Sequence, residues 1–334
     1  MIVTLADIRD AQARLRDVAV RTPLINVPLR ESRDADHPEF WQLFVKPENL
    51  QPIGAFKLRG AYNKIASLSE EERKHGVISY SSGNHAQGVA YAARALGIKA
   101  VIVMPDNAPA VKRQATLALG ADIVTVGPGS EERQHRAEAL AAEHGYAMVP
   151  PYNDERIIAG QGTMGLEILE DLPDVQTVLV PVGGGGMISG IAAAIKLGAQ
   201  QPVKVIGVEP EFAADAQASL RSGKLEEFSA AQIARTIADG LRTQKLGDIT
   251  FAHMQRFVDD IVTVSEDEIR EAVRRLSADP RITAEPSGAV AVAAFLFHRD
   301  ELPKTTRNVA ILSGGNIDPS LLAEIQGSHH AVSQ

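Results

Sequence analysis

The sequence predicts an α/β protein built on open parallel sheets, and three observations predict it. Short, apolar, β-branched runs alternate with helix-period stretches along almost all of the 334 residues. The runs lack polar alternation, as strands covered on both faces do. Several are followed by glycine- or serine-rich loops, at the strand ends where such sheets carry their binding sites. A chain with 45% hydrophobic residues can bury a large core, which excludes a disordered or collagen-like polymer.

Taken in order, the first element is a helix over residues 5–18, opening behind the cap-forming Thr4 and followed by a proline-containing stretch, 21–28. Strands are expected at 42–45, 77–80, 100–104, 123–126, 177–182, 203–208 and 309–312, each bounded by glycine, proline or charge. Helices are expected at 58–68, 88–96, 110–119, 131–143, 165–172, 188–197, 266–278 and 289–298. Parallel sheets with right-handed crossovers satisfy this order. The polar tail, 327–334, reads as frayed and its two histidines as incidental.

With no cysteine in the chain, disulfide scaffolds, thiolate metal sites and cysteine nucleophiles are excluded. A net charge of -8 argues against nucleic-acid and anionic-membrane partners. The amino terminus lacks a signal-peptide pattern, and no apolar run approaches the ~20 residues that span a bilayer. A soluble, cytoplasmic protein acting on a small molecule is expected.

Four loops carry the candidate chemistry. In the first, Lys57 follows a Pro/Gly-rich turn and opens a helix-period stretch. It reads either as a solvated lysine or as an amine desolvated by Ile53 and Phe56, fit to form a Schiff base. In the second, Ser81, Ser82, Gly83, Asn84 and His85 follow a strand and precede a helix. Backbone amides and hydroxyls there can receive a carboxylate, although Ser82 or Asn84 can also serve simply as a helix cap. In the third, Gly183, Gly184, Gly185, Gly186 and Met187 link a buried strand to a helix, which lets backbone amides wrap a phosphate. No GxxxxGK[ST] pattern is present. Gly184, Gly186 and Ser189 come close to the dinucleotide fingerprint, but that fingerprint normally opens its domain. The fourth, Ser313 to Asn316, ends the last strand and reads alone as a plain turn.

Together, in this order and spacing, the loops resemble those of the fold type II (β-family) pyridoxal-phosphate enzymes, the group of threonine and serine dehydratases, threo-3-hydroxyaspartate dehydratases and serine racemase. The resemblance runs from about residue 11 to 317 and is also carried by Gly160, Gln161, Gly162 and Thr163. It implies two open parallel-sheet domains, tryptophan synthase β-like, with pyridoxal 5'-phosphate in the cleft between them. A large domain would comprise residues 1–52 and 152–334 and a small mobile domain residues 53–151, with no C-terminal regulatory domain and a homodimer as the assembly. Lys57 matches the lysine that carries the cofactor, beside Phe56. Asn84 matches the partner of its phenolic oxygen, residues 183–187 its phosphate cup, and Ser313 the residue at its ring nitrogen. Ser82 matches the serine on the face opposite the lysine, and Ser81, Gly83 and His85 belong to the substrate-binding loop.

The expected reaction is β-elimination from a β-hydroxy-α-amino acid, giving an α-keto acid and ammonia. A racemase using Lys57 and Ser82 as bases on the two faces is the alternative. A β-replacement synthase, a non-catalytic cofactor-binding protein and a nicotinamide dehydrogenase are more distant readings. Glu209 and Asp215, six residues apart, read either as helix-dipole partners or as ligands of a hard cation. The resemblance favours the cation (Mg2+, Mn2+ or Ca2+), with the Ala213 carbonyl as third ligand. Arg133 reads as a solvated helix arginine, or as the arginine that overlies the active site in serine racemase-like proteins. There it would receive a second carboxylate bidentately and favour threo-3-hydroxyaspartate. Tyr152 and residues 243–247 are expected to border the pocket.

Overall fold

A computed structural model describes residues 1–27, 41–108, 110–127 and 129–327. The expected frayed tail and its histidines, and the end of the 21–28 stretch, lie outside the described residues.

Among the described residues ten strands form two sheets. The larger comprises β1 (Ile25–Asn26), β2 (Gln42–Pro47), β7 (Thr177–Pro181), β8 (Lys204–Pro210), β9 (Asp260–Val264) and β10 (Arg307–Leu312), in the order β1-β2-β10-β7-β8-β9. Val309 pairs with Phe44 on one side and Val178 on the other. All its pairings are parallel except that of β1 with β2, so the expected all-parallel sheet carries one short antiparallel edge. The smaller sheet, β5-β4-β3-β6, is wholly parallel and uses β3 (Val77–Tyr80), β4 (Ala100–Pro105), β5 (Asp122–Val126) and β6 (Ala147–Met148).

Helices cover the sheets where the apolar periodicity demands it. The first, α1 (Leu5–Leu15), has a capping box between Thr4 and Asp7 and buries Ile8, Ala11 and Leu15. It stops short of residue 18 because Asp17 turns the chain with φ 67°. The most apolar helices, α8 (Gly186–Gly198) and α13 (Pro286–Phe297), are buried almost all round within the larger sheet's layers. A third, α7 (Glu155–Asp171), begins ten residues before the expected start at residue 165. The glycines at 160, 162 and 165 have low helix propensity, but they sit where helices touch. A Cβ on Gly160 would lie 2.7 Å from the Arg59 carbonyl oxygen, and one on Gly165 2.7 Å from Ala194 Cβ. Close packing on α8 and on α2 (Lys57–Ala66) outweighs the ~1 kcal/mol propensity cost of each glycine. The expectation also missed β1, β6 and β9, two of them only two residues long.

Beneath α2 lies a buried ionic cluster. The Arg59 guanidinium donates to both Glu48 and Glu167, and the Lys46 ammonium pairs with Glu167 at 2.6 Å. Thr22 and Gln51 complete the hydrogen bonding of Glu48. Because Lys57 is the first residue of α2, this cluster holds the segment that presents it.

Candidate active site

The carboxyl ends of β3, β7 and β10 open on one cleft of about 700 Å³. Phe56, Lys57, Ser81, Ser82, Gly83, Asn84, His85, Arg133, Gly183, Gly184, Gly185, Gly186, Met187 and Ser313 all line it. The cleft thus unites loops that are separated by up to 257 positions, from Phe56 to Ser313. Tyr152 and, of the expected residues 243–247, Thr243, Gln244 and Lys245 border it, whereas Leu246 and Gly247 do not line it.

Lys57 is held against the last strand of the larger sheet, since the Phe56 backbone N–H donates to the Ser313 carbonyl at 3.0 Å. Its amine donates to the Pro151 carbonyl at 2.7 Å and sits 5.2 Å from the centre of the Phe56 ring. Burial lowers its pKa to about 8. An amine so placed is poised to exchange its proton near neutrality. His85 is also buried, and its Nε2 lies 3.0 Å from the Val149 carbonyl, an acceptor that requires the proton on Nε2. Burial first, and the nearby Lys57 second, hold this imidazole neutral with a pKa of about 3.

The glycine run is required by its surroundings. Gly185 caps α8 at φ +85°, in the left-handed region. A Cβ on Gly184 would sit 2.3 Å from the Tyr152 ring, and one on Gly186 3.0 Å from the Tyr152 backbone. The Thr250 hydroxyl donates to the Gly184 carbonyl at 2.8 Å and fixes the loop. Residues 183–187 line the cleft at the start of α8, where helix N-terminal amides can receive an anion. Ser313 is buried at the neighbouring strand end, its hydroxyl 3.4 Å from the Ser287 carbonyl. A desolvated lysine, an amide cup and a buried hydroxyl within one cleft fit a phosphorylated pyridoxal.

Asn84 begins α4 (Asn84–Ala95), four residues ahead of the expected start at residue 88. Its Nδ2 donates to Glu285 Oε1 at 2.6 Å, and its Oδ1 accepts from Asn316 Nδ2 at 2.8 Å. Arg133, on α6 (Ser130–His144), is half-buried, and its guanidinium makes no ion pair among the described residues. Burial alone lowers its pKa.

Among the ionisable groups of the cleft that sequence reasoning missed are Lys112, Asp239 and Glu285. Lys112, on α5 (Ala110–Ala118), pairs directly with Asp239 across the opening. Glu285 precedes the wholly apolar α13, and a carboxyl at that point of the sequence was the available signal. Burial, reinforced by Asp239, raises its pKa to about 7.

Glu209, Ala213 and Asp215 lie outside the cleft lining, buried at the end of β8 and the start of α9 (Asp215–Ser222). Glu209 accepts from the backbone amides of Ala216 and Gln217 at 3.0 and 2.8 Å. Both carboxylate oxygens of Asp215 are buried without a partner. Burial raises the pKa of both groups, that of Asp215 to about 7. No cluster of three or more acidic or histidine side chains suited to a metal occurs among the described residues.

Residues 15–314 match the family model described as "Pyridoxal-phosphate dependent enzyme". The chain is 46% identical over 325 residues to an L-threonine ammonia-lyase of Thermotoga maritima, covering 97% of this chain and 78% of that one. It is 41% identical over 318 residues to an L-threo-3-hydroxyaspartate ammonia-lyase of Saccharomyces cerevisiae, covering 95% and 94%. The solved structure of maize serine racemase superposes with a TM-score of 0.87 at 36% identity, covering 99% of both chains. A cleft shaped for a phosphorylated pyridoxal and a family match over nearly the whole length agree: the chain belongs to the pyridoxal-phosphate-dependent enzymes.

Proposed function

We propose that the protein is an ammonia-lyase that eliminates water from a β-hydroxy-α-amino acid and releases an α-keto acid and ammonia. The observation that carries this reading is the buried Lys57 amine, with a pKa of about 8, in the cleft that also holds the glycine run and Ser313. Pyridoxal phosphate, when bound, supplies an electron-withdrawing ring that acidifies the α-proton of an attached amino acid. Lys57 would hold the cofactor, and its Nζ would accept that proton. The amides of residues 183–187 would hold the phosphate, Asn84 would donate to the ring oxygen, and Ser313 would serve the ring nitrogen. Ser81, Ser82, Gly83 and His85 receive the substrate carboxylate at the start of α4.

Arg133 supports a dicarboxylic substrate, threo-3-hydroxyaspartate, over serine and threonine, because a half-buried guanidinium without a counter-ion invites one. Racemisation is the second reading. It is favoured by Ser82 lining the same cleft as Lys57, where it could exchange a proton from another direction. Residues 53–151 are proposed to move as a small domain against 1–52 and 152–334. The Lys112–Asp239 and Asn84–Glu285 contacts then join the two when the cleft is shut. Asp215, with two buried unpartnered oxygens, supports a hard divalent cation (Mg2+, Mn2+ or Ca2+) shared with Glu209 and the Ala213 carbonyl. A cytoplasmic homodimer is the proposed setting.

The test is to offer L-serine, L-threonine, threo-3-hydroxyaspartate and 3-phenylserine separately to the cofactor-loaded protein, following keto-acid release and substrate chirality. Keto acid from one preferred substrate supports the lyase, whereas loss of chirality without keto acid replaces it with a racemase. No turnover of any of them refutes both.

A further inference from the structure

We infer that Glu285 is a positioning residue, which fixes the end of the Asn84 amide that meets the cofactor. The inference rests on the proposed contact between Asn84 and the cofactor's ring oxygen. Its basis is the polarity of a short hydrogen-bond chain. The Ile53 carbonyl can only accept, and Asn316 Nδ2 donates to it at 2.9 Å, which sets the orientation of the Asn316 amide. The same nitrogen donates to Asn84 Oδ1 at 2.8 Å, so Asn84 must turn its oxygen toward Asn316. Asn84 Nδ2 is thereby directed at Glu285 Oε1, 2.6 Å away, which accepts whether or not the carboxyl is protonated.

A flipped Asn84 would set nitrogen against nitrogen at Asn316 and oxygen against a carboxyl oxygen at Glu285. Asn316 opposes the flip in either state and Glu285 opposes it when ionised, and the second hydrogen on Nδ2 remains free to donate to the cofactor. The approach of Asn316 is itself built in: Gly54 stands at φ +72°, and a Cβ there would lie 2.4 Å from Asn316 Oδ1. Glu285 is buried, and its backbone amide donates to the Gly314 carbonyl at 3.1 Å, which ties it to the loop after β10. Lys112 and Asp239 are the charged groups that face it, and they pair with each other.

A double-mutant cycle on the cofactor-loaded protein tests this. The readouts are the pyridoxal phosphate dissociation constant and the position of the bound cofactor's visible absorption band. Glu285→Leu should weaken cofactor binding roughly tenfold or more and shift the band as Asn84→Ala does. In the Asn84→Ala background the same change should cost less than about twofold, because Glu285 then has nothing to position. Glu285→Gln retains an acceptor oxygen and should restore binding to within about threefold of the parent. If Glu285→Leu does not fold, Asn316→Ala, which frees the other end of the amide, should show the same dependence on Asn84. Equal losses with and without Asn84, or an unchanged affinity and band in Glu285→Leu, overturn the inference alone. Failure of the unaltered protein to take up pyridoxal phosphate overturns it together with the proposed function.

Discussion

Replacing Arg133 by alanine tests the proposed substrate most sharply. The guanidinium is already half out of water and has no acidic partner among the described residues, and burial is the sole cause that lowers its pKa. Much of the desolvation cost is therefore met in the free protein, before any substrate arrives. A carboxylate at about 4 Å would gain about 4 kcal/mol at an effective dielectric constant near 20. Its own desolvation and the ordering of both groups take back part of that. Charge-assisted hydrogen bonds measured by mutation retain about 1.5–3 kcal/mol. Arg133→Ala should thus lower kcat/KM for threo-3-hydroxyaspartate about 10- to 150-fold, mainly through KM, and change that for L-serine less than about threefold. Arg133→Lys should fall between, since it keeps the charge and loses the planar fork. Steady-state keto-acid release on the two substrates reads this directly. An equal loss on both would refute the carboxylate role.

Three further outcomes are expected. Asp215 and Glu209 have folded-state pKa values raised above those of an unfolded chain, so the unfolded state gives up protons first. Their contribution to stability is then present at low pH and lost as pH rises from about 4 through about 7. Thermal melts of Asp215→Asn should lose that decline relative to the parent, and any stabilisation by added Mg2+, Mn2+ or Ca2+ should vanish with it. Gly185→Ala should cost about 1–2 kcal/mol for the left-handed backbone alone, and more because its Cβ would lie 2.9 Å from Leu246 and 3.0 Å from Thr250. Urea unfolding and cofactor titration should both register it. Arg59→Leu leaves Glu48 and Glu167 buried with Lys46 as their remaining cation. It should destabilise by about 3–5 kcal/mol in urea unfolding and loosen the cofactor through α2. A loss below ~1 kcal/mol would show that water enters the cluster.

The parts of the fold legible in the sequence were those with a local cause. Seven strands show as apolar runs bounded by glycine, proline or charge; residues 81–85, 183–187 and 313 follow three of them, and Lys57 opens α2. Elements shaped by distant contacts were not legible. The first half of α7 is hidden by Gly160 and Gly162, whose use is the approach of Arg59 and Gly190 from other helices. Strands β1 and β6, at two residues each, exist only because β2 and β3 offer them an edge. In the site, Glu285 escaped because it sits 201 positions from the Asn84 it contacts and looks like an ordinary helix opening. Lys112 and Asp239 escaped for the same reason, at a separation of 127 positions.

Burial shifts several ionisable groups of this cleft, and its direction follows the sign of the charge. It lowers Lys57 to about 8 and lowers Arg133, and it raises Glu285 to about 7 and Tyr152 well above its ordinary value. Each shift moves its group toward neutrality, because a poorly hydrated space penalises either charge. Lys112 and Asp239 pair with each other at the opening. The interior therefore has amides and hydroxyls in excess of anions to receive. A dianionic phosphate and a carboxylate-bearing substrate would complete it electrostatically, so cofactor and substrate supply charges that the chain itself leaves out. Binding them should draw the Lys57 pKa back up, coupling occupancy to proton uptake, whereas the Arg133 guanidinium is charged throughout. Calorimetry of phosphate binding in two buffers of different ionisation enthalpy would reveal that uptake, and an enthalpy independent of buffer would refute it.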